Sequence, residues 1–391
     1  MSKITPWLAP ENCVPPGGLL VGRVWNPGDD GPCIVRLDGS KLVDITAKFP
    51  TMRDLCESED PARAAIEAEG ENFCSLADAL SNTPVQTRNT AKPWLLAPID
   101  LQAIKAAGVT FAISMLERVI EERARGNPQA AVEIRASIHQ LIGDDLSKLK
   151  PGSPQAMQLK QVLIAKGVWS QYLEVGIGPD AEIFTKSQVM AAVGHGMDAG
   201  LNPISSWNNP EPEVVVVVAS SGKIIGATLG NDVNLRDVEG RSGLLLGKAK
   251  DNNASCAIGP FIRLFDRNFT LDHVRRMQLA LRVEGEDGYV LNGSSNMSKI
   301  SRDPADLVGQ MLNVHHQYPD GAVLFLGTLF APVEDRDVKG QGFTHKTGDI
   351  VTVSSRELGA LTNRMVATNV APPWSYGVSH LMRNLAKRGL I

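Results

Sequence analysis

The chain has 391 residues, 43% of them hydrophobic and 21% charged, which is enough length and apolar content for one large or two smaller domains and excludes a disordered protein. Lysine and arginine (39) nearly balance aspartate and glutamate (43) for a net charge of -4, so no basic field invites nucleic acid. Cys13, Cys33, Cys56, Cys74 and Cys256 contain no C-x-x-C pair, arguing against a disulfide scaffold or thiolate zinc site, and no run approaches the roughly 18 apolar residues of a membrane span. A cytoplasmic protein with no membrane partner is expected.

Residues 16–46 alternate apolar runs with turn signals, LLVGRVW, NPGDDGP, CIVRL, DGS and KLVDIT, and predict two or three strands. Thr51 is a candidate helix cap before MRDLCE, and ARAAIEAEG reads as a second helix ending on Gly70. Residues 1–92 are therefore expected to form a small N-terminal α/β unit, followed by a larger domain over 93–391. Residues of about 110–173 read as a helical insertion, broken at Asn127-Pro128 and at Lys150-Pro151-Gly152. Glu121 and Glu122, near Arg123 and Arg125, read as a solvated face of it. From about 181 onward strands dominate: VVVVVAS, KIIGATLGND, AIGPFIRLF, QLALRVEG, VLFLGTLFAPV and DIVTVSSRELGALTNRMV. The fold class is α+β with a strand-rich, fairly closed second half.

Three suggestive strings carry no site. Gly194–Gly200 has the wrong glycine spacing for a dinucleotide loop, and Gly243–Ala249 misses the phosphate-loop pattern and its Ser or Thr. His315-His316 lacks a third ligand at zinc spacing.

The stretch NNPEPEVVVVV is different. Residues two apart on an extended chain face the same way, so Glu211 and Glu213 aim into one volume. The chain turns at Ser220-Ser221-Gly222 and returns as KIIGATLGND, a hairpin that brings Asp232 back to the same end. Three carboxylates around one point suit a hard divalent cation, Mg²⁺, Mn²⁺ or Ca²⁺. The spacing equally allows exposed strand-start glutamates neutralised by arginines.

E-P-E, the valine strand, the segment LGNDVNLRD and then Leu246-Gly247-Lys248 together resemble the metal-binding core of the fumarylacetoacetate hydrolase superfamily, over about residues 100–370. The resemblance implies a mixed β-roll or barrel enclosing a metal held by Glu211, Glu213 and Asp232, and a homodimer or higher homo-oligomer. It places the family's site lysine on Lys248 and its late G-T pair on Gly327-Thr328, and Phe184-Thr185-Lys186 makes Lys186 a further site residue. Arg236 follows as a substrate contact or as a partner for Glu213 or Asp237.

Hydrolytic members resembling this chain carry G-x-N-Y-x-x-H-x-x-E, and the matching residues here run from Gly108 to Glu117 with Ser114 in the histidine's place. A serine hydroxyl is no base at neutral pH. Ser114 and Glu117, three apart on a helix, share a face and suit proton transfer at carbon. The chain is similar to a branch that dehydrates 2-keto-3-deoxy sugar acids, which implies a metal-dependent lyase acting on a small 2-keto acid. The implied reaction takes 2-keto-3-deoxy-D-xylonate (a D-pentonate) to 2,5-dioxopentanoate in non-phosphorylating pentose catabolism. Lys186 or Glu117 would be the base, Ser114 would orient the leaving hydroxyl, and Lys248 and Thr328 would hold substrate oxygens. An acylpyruvate or β-diketo acid hydrolase or decarboxylase is the alternative, and a silent metal-binding homologue the third.

Overall fold

Five consecutive valines fit a strand only if both of its faces are covered, and Val214–Val218 lie at the centre of the protein, all fully buried. The structure is a computed structural model and describes residues 6–125, 127, 129–131, 134, 149–165, 167, 169–330, 332, 334–339 and 342–391. In chain order its strands are β1 (Leu20–Asn26), β2 (Gly31–Asp38), β3 (Lys41–Asp44), β4 (Glu71–Ser75), β5 (Trp94–Leu95), β6 (Ala103–Gly108), β7 (Glu182–Ser187), β8 (Asp198–Leu201) and β9 (Asn208–Asn209). There follow β10 (Pro212–Val218), β11 (Ile224–Asp232), β12 (Asn234–Leu235), β13 (Cys256–Leu264), β14 (Gln278–Glu284), β15 (Val290–Asn296), β16 (Ala322–Phe325), β17 (Ile350–Ser355) and β18 (Gly359–Ala367).

The large sheet runs β4-β3-β2-β1-β13-β11-β10-β16-β6-β7, with β5 also on β1; a smaller one runs β15-β14-β17-β18-β8. A third sheet pairs β12 with β9, and among the described residues no pairing joins the ends of the two larger sheets, so the expected β-roll or barrel is open and not closed. Strand alternation divides the valines between two cores. Val214, Val216 and Val218 pack towards the small sheet with Leu281, Val283, Val351 and Val353. Val215 and Val217 join Ile34, Met52, Leu55 and Ala65 from the N-terminal region. Each buried valine is worth about 1.5–3 kcal/mol by transfer, so the N-terminal helices serve as the cover for one face of the central strand.

That region forms as its turns and caps dictate. Thr51 accepts from the Asp54 amide while the Asp54 side chain answers the Thr51 amide, a capping box opening helix Met52–Cys56. Helix Pro61–Glu67 follows with Asp60 as its cap. Gly70 does not end that helix; it leads into β4, which pairs with β3. At residue 92, where a boundary was expected, the sheet is continuous on either side: β1 pairs with β13. Of the helical insertion, helices Ala112–Arg123, Pro154–Ala165 and Gln171–Ile177 are described; the segment expected over 127–149 lies largely outside the described residues. Among the described residues no helix is long and apolar enough to cross a membrane.

Candidate metal centre

The hairpin of β10 and β11 does what its length predicts. Pro212 pairs with Asn231 and Glu213 with Gly230, and the Asp232 amide donates to the Glu211 carbonyl at 3.0 Å. Glu211, Glu213 and Asp232 are all buried, and each offers one oxygen within 4.8 Å of the others. Gly327, at φ +87°, donates its amide to Glu213 Oε2 at 2.6 Å. A Cβ there would sit 2.0 Å from the Thr110 hydroxyl, so the turn that orients Glu213 needs glycine.

Two buried lysines answer these charges. Lys186 Nζ lies 2.9 Å from Asp232 Oδ1 and donates to the carbonyls of Val233 (3.2 Å) and Lys250 (2.5 Å). Lys250 Nζ contacts Glu211 Oε2 at 2.5 Å and Asp232 Oδ2 at 2.9 Å. Burial works against the charge on Lys250, yet Asp232, Glu211 and Glu239 outweigh it and raise its pKa. Burial likewise opposes ionisation of Asp232, but Lys186 and Lys250 hold it below the usual carboxylate range. Glu213, with no cation at contact distance among the described residues, is pushed well up by burial and by Asp232 and Glu211.

Lys248 was expected in this role. It is exposed. Both lysines lie on the short helix Leu246–Lys250, where two residues are about 200° apart, so only one of them can face the carboxylates, and Lys250 does.

Helix Ala112–Arg123 closes the other side. Arg118 contacts Glu211 Oε1, Glu121 at 2.7 Å and Glu239 at 3.1 Å. Arg236 meets Glu121 at 2.6 Å and Glu117 at 3.8 Å and stacks over Trp207 at 4.3 Å. Glu121, read from sequence as solvated, is 2% exposed, because it completes this two-arginine network and is held below the usual carboxylate range by it despite burial. Arg236 pairs with neither Glu213 nor Asp237; Asp237 accepts from Ser205 and Ser206. Ser114 falls on the same helix, with its side chain outside the described residues.

The cavity among these groups measures about 30 Å³, the share of an ion or one water. Glu182, Glu211, Glu213, Asp232 and Glu239 line it against Arg118 and Lys250, together with Phe184, Gly327 and Thr328. Glu211, Glu213 and Asp232 offer oxygen donors within 4.8 Å of one another, and burial beside its neighbours Asp232 and Glu211 raises Glu213, so the residues present fit a hard divalent cation whose charge would offset that repulsion. Neither Lys186 nor Glu117 lines the cavity. The Lys186 side chain is engaged by Asp232 and by backbone carbonyls, which makes it an anchor for a ligand.

Sequence reasoning passed over Glu182, whose carboxyl is pushed up to about 7 by burial and then by Glu239. Its signal was available: Glu182, Phe184 and Lys186 alternate along β7, and the first two line the cavity. Arg118 and Glu121 were also legible, three apart on one helical face.

Comparison with known proteins agrees with this geometry. Residues 182–366 match the family model described as fumarylacetoacetate (FAA) hydrolase C-terminal. A Saccharolobus solfataricus protein named 2-dehydro-3-deoxy-D-arabinonate dehydratase is 33% identical over 180 residues, 46% of this chain and 57% of that one, so the match spans little more than half of that relative. A Haloferax volcanii protein named probable 2-keto-3-deoxyxylonate dehydratase is 24% identical over 322 residues, 82% of this chain and 90% of its own. A solved 2-keto-3-deoxy-D-arabinonate dehydratase, complexed with magnesium and 2,5-dioxopentanoate, shares the fold at TM-score 0.57 and 22% identity, over 89% of this chain and 99% of that one. The matched residues 182–366, just under half of the chain, carry all three ligand carboxylates and both buried lysines and are similar to the C-terminal part of the fumarylacetoacetate hydrolase family.

Proposed function

We propose that the protein is a divalent-metal-dependent dehydratase that converts 2-keto-3-deoxy-D-xylonate, a 2-keto-3-deoxy-D-pentonate, to 2,5-dioxopentanoate. The observation that carries this reading is the placement of Glu182: a carboxyl in the same cavity as Glu211, Glu213 and Asp232, with no histidine among the lining residues. The names of the two dehydratase relatives support the substrate class, and the magnesium in the solved relative supports Mg²⁺ as the ion.

When bound, a divalent cation acts as a Lewis acid on a 2-keto acid and favours loss of a C3 proton. Glu182 takes that proton as the C3–H electrons form a C3=C4 bond, and returns it to the departing C4 hydroxyl, which leaves as water. Tautomerisation of the remaining C5 alcohol gives the terminal aldehyde. A carboxyl near 7 is poised for both halves of the transfer. Thr328 and Lys250, on the wall beside it, orient substrate oxygens. Arg118 positions Glu211 through its contact with Oε1, and Lys186 positions Asp232. Glu117 and Arg236 support this shell from behind.

The test is turnover of 2-keto-3-deoxy-D-xylonate with and without Mg²⁺, the aldehyde product read by a coupled aldehyde dehydrogenase. Metal-dependent aldehyde is expected; cleavage of acylpyruvate in its place would make the chain a hydrolase with an unusual base. A cytoplasmic homo-oligomer belongs to the same reading, and light scattering in solution checks the assembly.

Gly108 offers a second check. A Cβ built there would lie 2.0 Å from Glu182 Oε2, so Gly108→Ala displaces the carboxyl without touching a ligand. Turnover should fall by about 10-fold or more, given the sensitivity of proton transfer to misplacement, while Mn²⁺ affinity stays at the parent value. Full activity in this variant would show that Glu182 need not sit where the structure puts it.

A further inference from the structure

A second cavity, of about 340 Å³, lies between β1, β5, the loop 190–193 and the C-terminal segment 372–376, and shares no lining residue with the carboxylate cavity. Its volume falls in the range of small-molecule sites. Trp25 and Trp94 stack at 5.4 Å between centroids, Tyr376 meets Trp25 edge-on at 5.1 Å, and Trp374, 47% exposed, stands at the rim.

Three polar atoms in these aromatic walls are donors without an acceptor among the described residues. Arg23 is 5% exposed; its Nη1 donates to the Ile99 carbonyl at 2.5 Å, but its Nε, 3.7 Å from Asp100, hydrogen-bonds nothing. Arg88, whose guanidinium lies 4.8 Å over Trp94, has an unpartnered Nε, and the Tyr376 hydroxyl is unpartnered as well. The carboxylate on the wall, Asp198, is already engaged by Gln86 at 2.7 Å and Arg364 at 3.3 Å. Buried donors left unsatisfied are exceptional, and three around one apolar cavity point to an acceptor that the described residues do not supply.

The backbone adds an independent sign. Met190 (φ 65°) and Ala254 (φ 59°), both on the cavity wall, hold left-handed conformations that cost L-residues energy and concentrate at ligand sites.

We propose that this cavity is a second small-molecule site, which takes a planar ring bearing one carboxylate. The ring lies against the tryptophan walls, and the carboxylate accepts from Arg88, Arg23 and Tyr376. A polyol is disfavoured, because the tryptophan, alanine, proline and methionine side chains that dominate the wall offer few partners for several hydroxyls.

Three of the six tryptophans of the chain line the cavity, so binding is read by fluorescence. Titration with 4-nitrobenzoate should quench in a saturable way, with one site per chain by calorimetry. The neutral 4-nitrobenzamide should bind at least 10-fold more weakly. Arg88→Met should weaken 4-nitrobenzoate at least 10-fold, and Trp374→Ala, at an exposed rim position where folding is not at stake, at least 5-fold. Absence of saturable quenching up to millimolar probe, equal binding of the amide, or undiminished affinity in Trp374→Ala would each overturn the proposal.

Discussion

Asp232→Ala is expected to abolish divalent-metal binding and turnover together, and to lower stability by about 3–5 kcal/mol, the cost of removing one partner from a buried ion pair. The effect is large because one carboxylate serves two lysines: Oδ1 faces Lys186 at 2.9 Å and Oδ2 faces Lys250 at 2.9 Å. Both ammonium groups are almost fully buried, and the variant leaves Lys186 with only neutral partners. Thermal melts of the metal-free proteins and Mn²⁺ titration separate the two losses. The stability gap also has a pH signature. Asp232 is held below the usual range, so its contribution is complete above the unfolded value of about 3.9 and fades as pH falls through the folded one. The gap between parent and variant should therefore narrow only below about pH 4. Parent-like Mn²⁺ affinity in Asp232→Ala would remove this residue from the ligand set.

Glu182→Gln should cost turnover about 10²–10⁴-fold, the usual contribution of a positioned acid–base group, while metal affinity changes little. Here the pH argument runs the other way. Burial and Glu239 raise the Glu182 carboxyl to about 7, so its ionisation opposes folding increasingly as pH climbs from the unfolded value of about 4.3 towards 7. Glutamine removes that penalty. The variant should melt at or above the parent temperature at pH 8, and the limb near pH 7 in the parent's rate profile should vanish. A variant that keeps its rate would return the role of base to Glu117 or Lys186.

Where the chain alternates, the site was readable. Glu211 and Glu213 on one strand, and Asp232 on its hairpin partner, follow from a period of two and one turn, and the structure gathers all three. Helical stretches were read less well. Lys248 looked like the site lysine as part of a motif, but the choice between it and Lys250 depends on which side of a five-residue helix faces inward, and only packing decides that. Glu121 looked solvated because neighbouring charges usually are; Arg118, one turn away on the same helix, and Arg236, far off in sequence, bury it together. In the same way β6 was invisible as AIKAAG, since its strand character comes from β16 and β7 on either side and not from its own residues.

The continuity of the large sheet has a consequence for how the protein comes apart. Because β1 is hydrogen-bonded to β13, and the N-terminal helices seal Val215 and Val217, removing the first 92 residues would strip β1 to β4 from the large sheet, leave β13, the neighbour of the ligand-bearing hairpin, with an open edge, and expose an apolar face to water. The N-terminal segment should accordingly melt in the same cooperative step as the part that carries the carboxylate cluster, and its amides exchange with solvent as slowly as those of β10 and β11.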